Sequence, residues 1–321
     1  MSGEDLVVET LEARPEGATV LRGKNGRLFL AGDSNRVIEQ CTGELLFSEH
    51  QLRDWRLVLE NRVAWLERLG IPYHFIVPPN AHAVYPEDLP DTVRLAPVQP
   101  VQQLARHLED KRSFARVIYP LADLEAAKPD LPLYQKTDTH WTAHGAFVVY
   151  RRLVAEIGAA TQVHAVSAGG LEISEKPTAG DLGNKLDPME HSINVTATVR
   201  APASRLVDDN MIWGRGTIAV TKCEEAPPTT CLVFSDSFGL DLHPFLASSF
   251  RRLVFAFLPT LDHELVRREQ PDVVVSVLNE RFLMRVPYDV GAPTIDELVR
   301  QKKAKGLIRT TDITAGRGQY L

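Results

Sequence analysis

Phe234-Ser235-Asp236-Ser237-Phe238-Gly239 closes an apolar run and leads into a predicted helix. A serine at such a strand-to-helix turn stands at the C-terminal edge of a parallel sheet, where ligands bind in α/β folds. The helix start behind it offers free backbone N–H groups that can stabilise an oxyanion. The chemistry would be nucleophilic: Ser237 attacks an acyl carbon once a base has taken its proton. The plain alternative is that Ser237 merely caps the helix, a common duty of serine. Lys136-Thr137-Asp138-Thr139-His140-Trp141 supplies a candidate base. In an extended stretch, residues two apart project to the same side, so Asp138 can fix the tautomer of His140 and leave the far ring nitrogen for a serine. Against this stands a capping Asp138 and a surface His140.

Two rival constellations use other residues. Gly32-Asp33-Ser34-Asn35 carries a second Gly-Asp-Ser, with Asp241 and His243 as its downstream pair. It follows a hairpin rather than a central strand, and Asp241 and His243 fall within a predicted helix, where residues two apart do not share a face. A metal-dependent hydrolase is the other rival. Asp138, His140 and His144 lie near one helix start, with the two histidines at the i, i+4 spacing that puts both rings on one helical face. No glutamate sits between them as in zinc peptidases, and no fuller ligand set accompanies the pair.

The elements that must position these residues follow from periodicity. Lys24-Asn25-Gly26 between Val20-Leu21 and Leu28-Phe29-Leu30 predicts a hairpin. Ser48 and Gln51 form a capping box before a helix with Leu52, Trp55, Leu59, Val63 and Leu66 on one face, ending at Gly70. Helices are predicted over 100–110, 142–157, 239–250, 262–269 and 295–305, and parallel strands over 73–77, 115–119, 232–236, 253–257 and 273–278. Strands alternating with helices predict a three-layer α/β/α sandwich around a mainly parallel five-stranded sheet. The whole chain, 1–321, reads as one domain, with a polar arm at 1–18 and an insertion of loops and antiparallel strands at 160–228.

Bulk properties narrow the function classes. The 321 residues carry a net charge of −6. That balance argues against nucleic acid as the main ligand, since phosphate binding needs a basic face. Three cysteines, Cys41, Cys223 and Cys231, are too few for a disulfide framework and read as free thiols, although Cys223 and Cys231 are close enough to close a small loop. No stretch has the ~18 apolar residues of a membrane span, and the charged first thirty residues do not read as a signal peptide. The expectation is a cytoplasmic protein that needs no cofactor.

Taken together, the motifs resemble a known family. Thr137-Asp138-Thr139-His140-Trp141-Thr142 with Gly145-Ala146 resembles the signature of the alginate O-acetyltransferase AlgX/AlgJ-like branch of the SGNH-hydrolase superfamily. Asp236-Ser237-Phe238 is similar to its Gly-Asp-Ser-Phe block. Gly26-Arg27-Leu28-Phe29-Leu30, Pro78-Pro79-Asn80 with Val84-Tyr85-Pro86-Glu87, Gly180-Asp181-Leu182, and Pro271-Asp272-Val273 through Glu280-Arg281 agree in order, so the likeness spans roughly residues 20–285. Asp and His precede Ser, the permuted order of that branch. The resemblance implies Ser237 as nucleophile, His140 as general base and Asp138 as its orienting partner, in serine-dependent O-acetyl transfer to, or removal from, a carbohydrate. It also implies an acyl donor, supplied by a partner protein; the expected cytoplasmic location, taken by itself, points instead to an acyl thioester. Asn80 and Arg281 follow predicted strands and are candidates for the oxyanion or substrate site. Trp141 and Tyr85 offer rings for sugar stacking, with core packing as the alternative for Trp141. The chain departs from the family at Ser235, where a glycine is expected to permit an unusual backbone angle. A turn distorted by that serine would leave a catalytically impaired glycan-binding or scaffold protein, the non-enzymatic alternative.

Overall fold

The computed structural model describes residues 10–11 and 19–315, with side chains from Val20 to Thr314. The predicted polar arm lies outside these residues apart from Thr10–Leu11. The strands in chain order are β1 (Thr10–Leu11), β2 (Thr19–Arg22), β3 (Leu28–Gly32), β4 (Tyr73–Ile76), β5 (Leu171–Thr178), β6 (Ser192–Val199), β7 (Arg205–Asp209), β8 (Ile218–Lys222), β9 (Thr230–Ser235), β10 (Arg252–Phe257) and β11 (Val273–Val277). The helices are α1 (Val37–Thr42), α2 (Glu49–Glu67), α3 (Ala81–Val84), α4 (Pro100–Asp110), α5 (Leu121–Ala127), α6 (Ala143–Ile157), α7 (Gly180–Gly183), α8 (Gly239–Ala247), α9 (His263–Glu269) and α10 (Ile295–Ala304).

The central sheet runs β4-β11-β9-β10-β8-β7. Its first four strands are parallel, and β8 and β7 extend it antiparallel. The sheet therefore has six strands where sequence predicted five. The stretch 115–119 is not one of them: it contributes a single parallel bridge, Ile118 to Ile76. Ile118 exchanges two backbone bonds with Phe75 and Val77; Pro120 then follows, whose missing N–H cannot extend a ladder. The segment 160–228 holds the antiparallel strands β5 to β8, of which β5 and β6 pair with each other while β7 and β8 join the main sheet.

Strand side chains alternate between two buried faces, as the two-residue period of a strand requires. Val233, Val275 and Phe255 pack with α6 and α8 residues such as Tyr150, Leu153 and Phe245. Leu232, Phe234, Val254 and Val274 pack with Leu66 of α2, Leu265 of α9 and Ile295 of α10. Both faces are covered, which is why these strands read as unbroken apolar runs. The capping box at Ser48 starts its helix as the sequence predicts, and the structure adds threonine caps at Thr142 and Thr294. Cys41, Cys223 and Cys231 are buried free thiols. No helix among the described residues is long and apolar enough to cross a membrane.

Candidate active site

The parallel strands deliver three loops to one edge of the sheet. The loop after β9 holds Asp236 and Ser237. The buried Asp236 carboxylate accepts from the N–H of Phe238 (2.9 Å) and, across the sheet, from the N–H of Asn279 (2.6 Å). Burial pushes Asp236 up to about 6, against the pull of those two donors and of Arg281. The turn is thereby tied to the end of β11. Ser237 is buried, and its own N–H meets no acceptor among the described residues.

Ser235 does not distort this turn. It is the last residue of β9, its φ is not positive, and its hydroxyl donates to the Asp236 carbonyl at 2.9 Å. The expected need for glycine at this position is therefore not met with here. The space is made instead at Gly239, where a Cβ would lie 2.0 Å from the Ser235 hydroxyl oxygen.

The base comes from the hairpin before α6. Tyr134 and Trp141 bridge across it, and the Thr142 N–H donates to the Leu133 carbonyl at 2.8 Å. Between them the chain turns tightly rather than running extended. Asp138 Oδ1 accepts from the His140 backbone N–H at 2.8 Å and from His140 Nδ1 at 2.7 Å, so an Asx turn pairs the two side chains. His140 Nε2 lies 2.7 Å from Ser237 Oγ. The Phe238 ring packs on the imidazole at 4.8 Å between centroids. The geometry brings together Ser237, His140 and Asp138, remote in sequence, in the hydrogen-bonded order that lets imidazole take a serine proton.

The other predicted residues divide. Arg281, in the turn after β11, lines the cleft; only 7% of its surface is exposed, and its guanidinium lies over the rings of Phe282 (4.8 Å) and Phe238 (5.4 Å). Trp141 also borders the cleft but is 1% exposed, packed edge-on against Phe238, so its ring face serves the core and not a sugar. Tyr85 does not line the cleft: its hydroxyl accepts from the Leu133 N–H and its ring carries the Arg27 guanidinium at 3.7 Å. Asn80 is likewise outside it, with its N–H donating to Glu280 at 2.6 Å. Asn80 is thus drawn to the buried Glu280 side chain, and Tyr85 to the Leu133 backbone.

The metal grouping of Asp138, His140 and His144 does not form. Among the described residues the carboxylate and imidazole atoms that converge are those of Asp138, His140 and Asp181, and the two nitrogens of His140 already meet Asp138 and Ser237. Asp181 was not singled out by sequence reasoning as a site residue; its signal was the Gly180-Asp181-Leu182 triplet. Ser34 and Asn35 reach the rim of the same cleft, but no imidazole among the described residues hydrogen-bonds to Ser34. His243 is buried against Phe255 within α8.

Fold and site together define an SGNH hydrolase-like α/β domain. The family model for the SGNH hydrolase-like domain of acetyltransferase AlgX matches residues 20–211, and the chain belongs to that family. The match takes in Asp138 and His140 and ends before Ser237. Among solved structures, the O-acetyltransferase domain of Pseudomonas putida AlgJ superposes with a TM-score of 0.59 at 19% identity, over 90% of this chain and 99% of that one. PatB1 of Bacillus cereus superposes at 0.61 and 15% identity, over 83% and 97%. AlgX of Pseudomonas aeruginosa gives 0.51 and 12%, over 81% of this chain and 61% of that one. No curated protein sequence matches the chain. The family is one of SGNH-like O-acetyltransferases.

Proposed function

We propose that the chain moves O-acetyl groups to or from carbohydrate hydroxyls through an acyl-Ser237 intermediate. The observation that carries this reading is the pair of 2.7 Å contacts linking Ser237 Oγ, His140 and Asp138. The Ser237 oxygen attacks the donor's acetyl carbon while its proton passes to His140 Nε2. Asp138 accepts from the Nδ1 proton and so fixes the tautomer in which Nε2 is the acceptor for the Ser237 hydroxyl. The unpartnered Ser237 N–H, with the Arg281 guanidinium on the same cleft, is available to the oxyanion. His140 then returns the proton to the donor's departing oxygen or sulfur. In the second half, a sugar hydroxyl or water gives its proton to His140 and attacks the acyl-serine carbon; the bond to Ser237 Oγ breaks, and His140 returns the proton to that oxygen.

The cleft is roughly 1690 Å³, larger than the ~300–1,000 Å³ of ordinary small-molecule pockets. That size supports an extended saccharide as acceptor. The ordinary backbone at Ser235 favours an active enzyme over an impaired glycan-binding scaffold. The test is p-nitrophenyl acetate turnover by the wild type beside Ser237→Ala, His140→Ala and Ser34→Ala. The first two should lose activity by ~10³-fold or more, as triads do when a member is removed, and Ser34→Ala should stay near the wild type. Activity retained in Ser237→Ala but lost in Ser34→Ala would transfer the nucleophile to the rim.

A further inference from the structure

Asp138 is not the sole carboxylate at the back of the imidazole. Asp181 Oδ2 lies 3.6 Å from His140 Nδ1. Its two oxygens accept from the Thr139 N–H (2.7 Å) and the Thr139 hydroxyl (2.5 Å), and its own N–H donates to Asp138 Oδ2 at 3.1 Å. This approach is built into the backbone. Gly180 has φ +64°, and a Cβ there would lie 2.4 Å from the Thr137 carbonyl and 2.6 Å from Asp138 Cβ. The N–H groups of Leu182 and Gly183 both donate to that same Thr137 carbonyl. Helix α7 is thus clamped onto the loop that carries Asp138 and His140.

A loop tie alone does not need a second acid beside Asp138, and the arrangement carries an electrostatic cost. Desolvation, then the charge of Asp138, pushes Asp181 above the usual carboxylate range, while the Thr139 donors and Arg281 pull it down. Asp138 and Arg281 are the charged groups that act on Asp181. Asp236 is bound to two backbone N–H groups, and Glu190, behind α7, pairs with Arg22. What repays two carboxylates on one side of an imidazole is a positive charge arriving on that imidazole.

We propose that Asp181 is a positioning residue for the acyl-transfer reaction, its carboxylate standing beside Asp138 to stabilise the imidazolium formed when Ser237 gives up its proton. This rests on the reading of Ser237 and His140 given above. The proton moves from Ser237 Oγ to Nε2, the Nδ1 proton stays on the hydrogen bond to Asp138, and Asp181 meets the new ring charge at 3.6 Å without accepting a proton.

The test is the pH profile of kcat/KM for p-nitrophenyl acetate in the wild type, Asp181→Asn and Asp181→Glu. Asparagine can still accept from the Thr139 N–H but carries no charge. Its acid limb should move down by about one pH unit, the size of an opposite charge lost within ~4–6 Å, and kcat should fall roughly three- to tenfold as the base weakens. Asp181→Glu keeps the charge and should hold the limb near the wild-type position. An unmoved limb in Asp181→Asn, whatever its rate, reduces Asp181 to a loop tie and overturns the inference. Ser237→Ala run alongside separates the two claims, since activity surviving there defeats the nucleophile assignment itself. Should Asp181→Asn not fold, a ¹⁵N NMR titration of the His140 ring in the wild type decides: coupling to a second carboxylate gives a two-step curve, and a single step refutes it.

Discussion

Replacing Gly239 by alanine probes how the nucleophile is held. Gly239 opens α8 two residues after Ser237, and its φ is not positive, so alanine suits the backbone. On backbone grounds alone the change should stabilise by ~0.4–1 kcal/mol. The new Cβ, however, would lie 2.0 Å from Ser235 Oγ, 2.6 Å from Ser235 Cβ and 3.1 Å from Phe255 Cε2. Rotating the hydroxyl relieves the first clash but not the second. Strand β9 is fixed between β10 and β11, so the helix start must move, and Ser237 with it. Overpacking of this kind costs ~1–3 kcal/mol. A shift near 1 Å at the 2.7 Å contact with His140 can lower turnover by as much as ~10²-fold. Ser235→Gly alone gives up the hydroxyl's bond to the Asp236 carbonyl, about 1 kcal/mol. Combined, the two substitutions exchange which residue carries the side chain, and both clashes with Ser235 disappear, leaving the 3.1 Å approach to Phe255 for a small ring shift to absorb. Urea unfolding and p-nitrophenyl acetate turnover of the four proteins form a double-mutant cycle, with an expected coupling of about 1–3 kcal/mol in favour of the pair. If Gly239→Ala is as stable and active as the wild type, or the losses of the two singles simply add, the packing argument is wrong.

Two further outcomes follow from the buried frame. Burial pushes Glu280 up to about 7, above its unfolded value near 4.5, despite donors from Asn80 and Tyr119. The native state therefore keeps a proton that the unfolded chain releases, and stability falls as pH rises through that window. Glu280→Gln should flatten the denaturant-derived slope between about pH 5 and 7 by up to ~1.4 kcal/mol per unit; an unchanged slope sinks the assignment. Gly145→Ala would put a Cβ 2.2 Å from the Leu133 carbonyl and 2.9 Å from Trp141 Cβ, prising α6 from the hairpin that carries Asp138 and His140. A loss of ~1–3 kcal/mol with reduced turnover is expected in thermal melts and kinetics, larger on both counts than for Thr142→Ala, which removes a cap worth about 1 kcal/mol.

The amino-acid order by itself determined the parts that are local. The cap at Ser48, the turn at Asn25-Gly26, and apolar strands such as Val273-Val274-Val275 announce themselves through short-range hydrogen bonding and periodicity. The pairing of Asp138 with His140 is also local, although an Asx turn makes it and not an extended strand. Residues 115–119 show the limit: an apolar stretch has the composition of a strand, but neighbours decide how many rungs form, and here one does. Tyr85 and Asn80 show another, since a residue after a strand can turn into the core as readily as toward the cleft. The approach of Ser237 to His140, the second carboxylate of Asp181 and the accommodation of Ser235 by Gly239 were settled by tertiary structure alone. The first two depend on remote chain segments packing at a separation fixed to within an ångström, and the third on the angle at which α8 leaves β9; such distances come from the packing around them, which no spacing along the chain encodes.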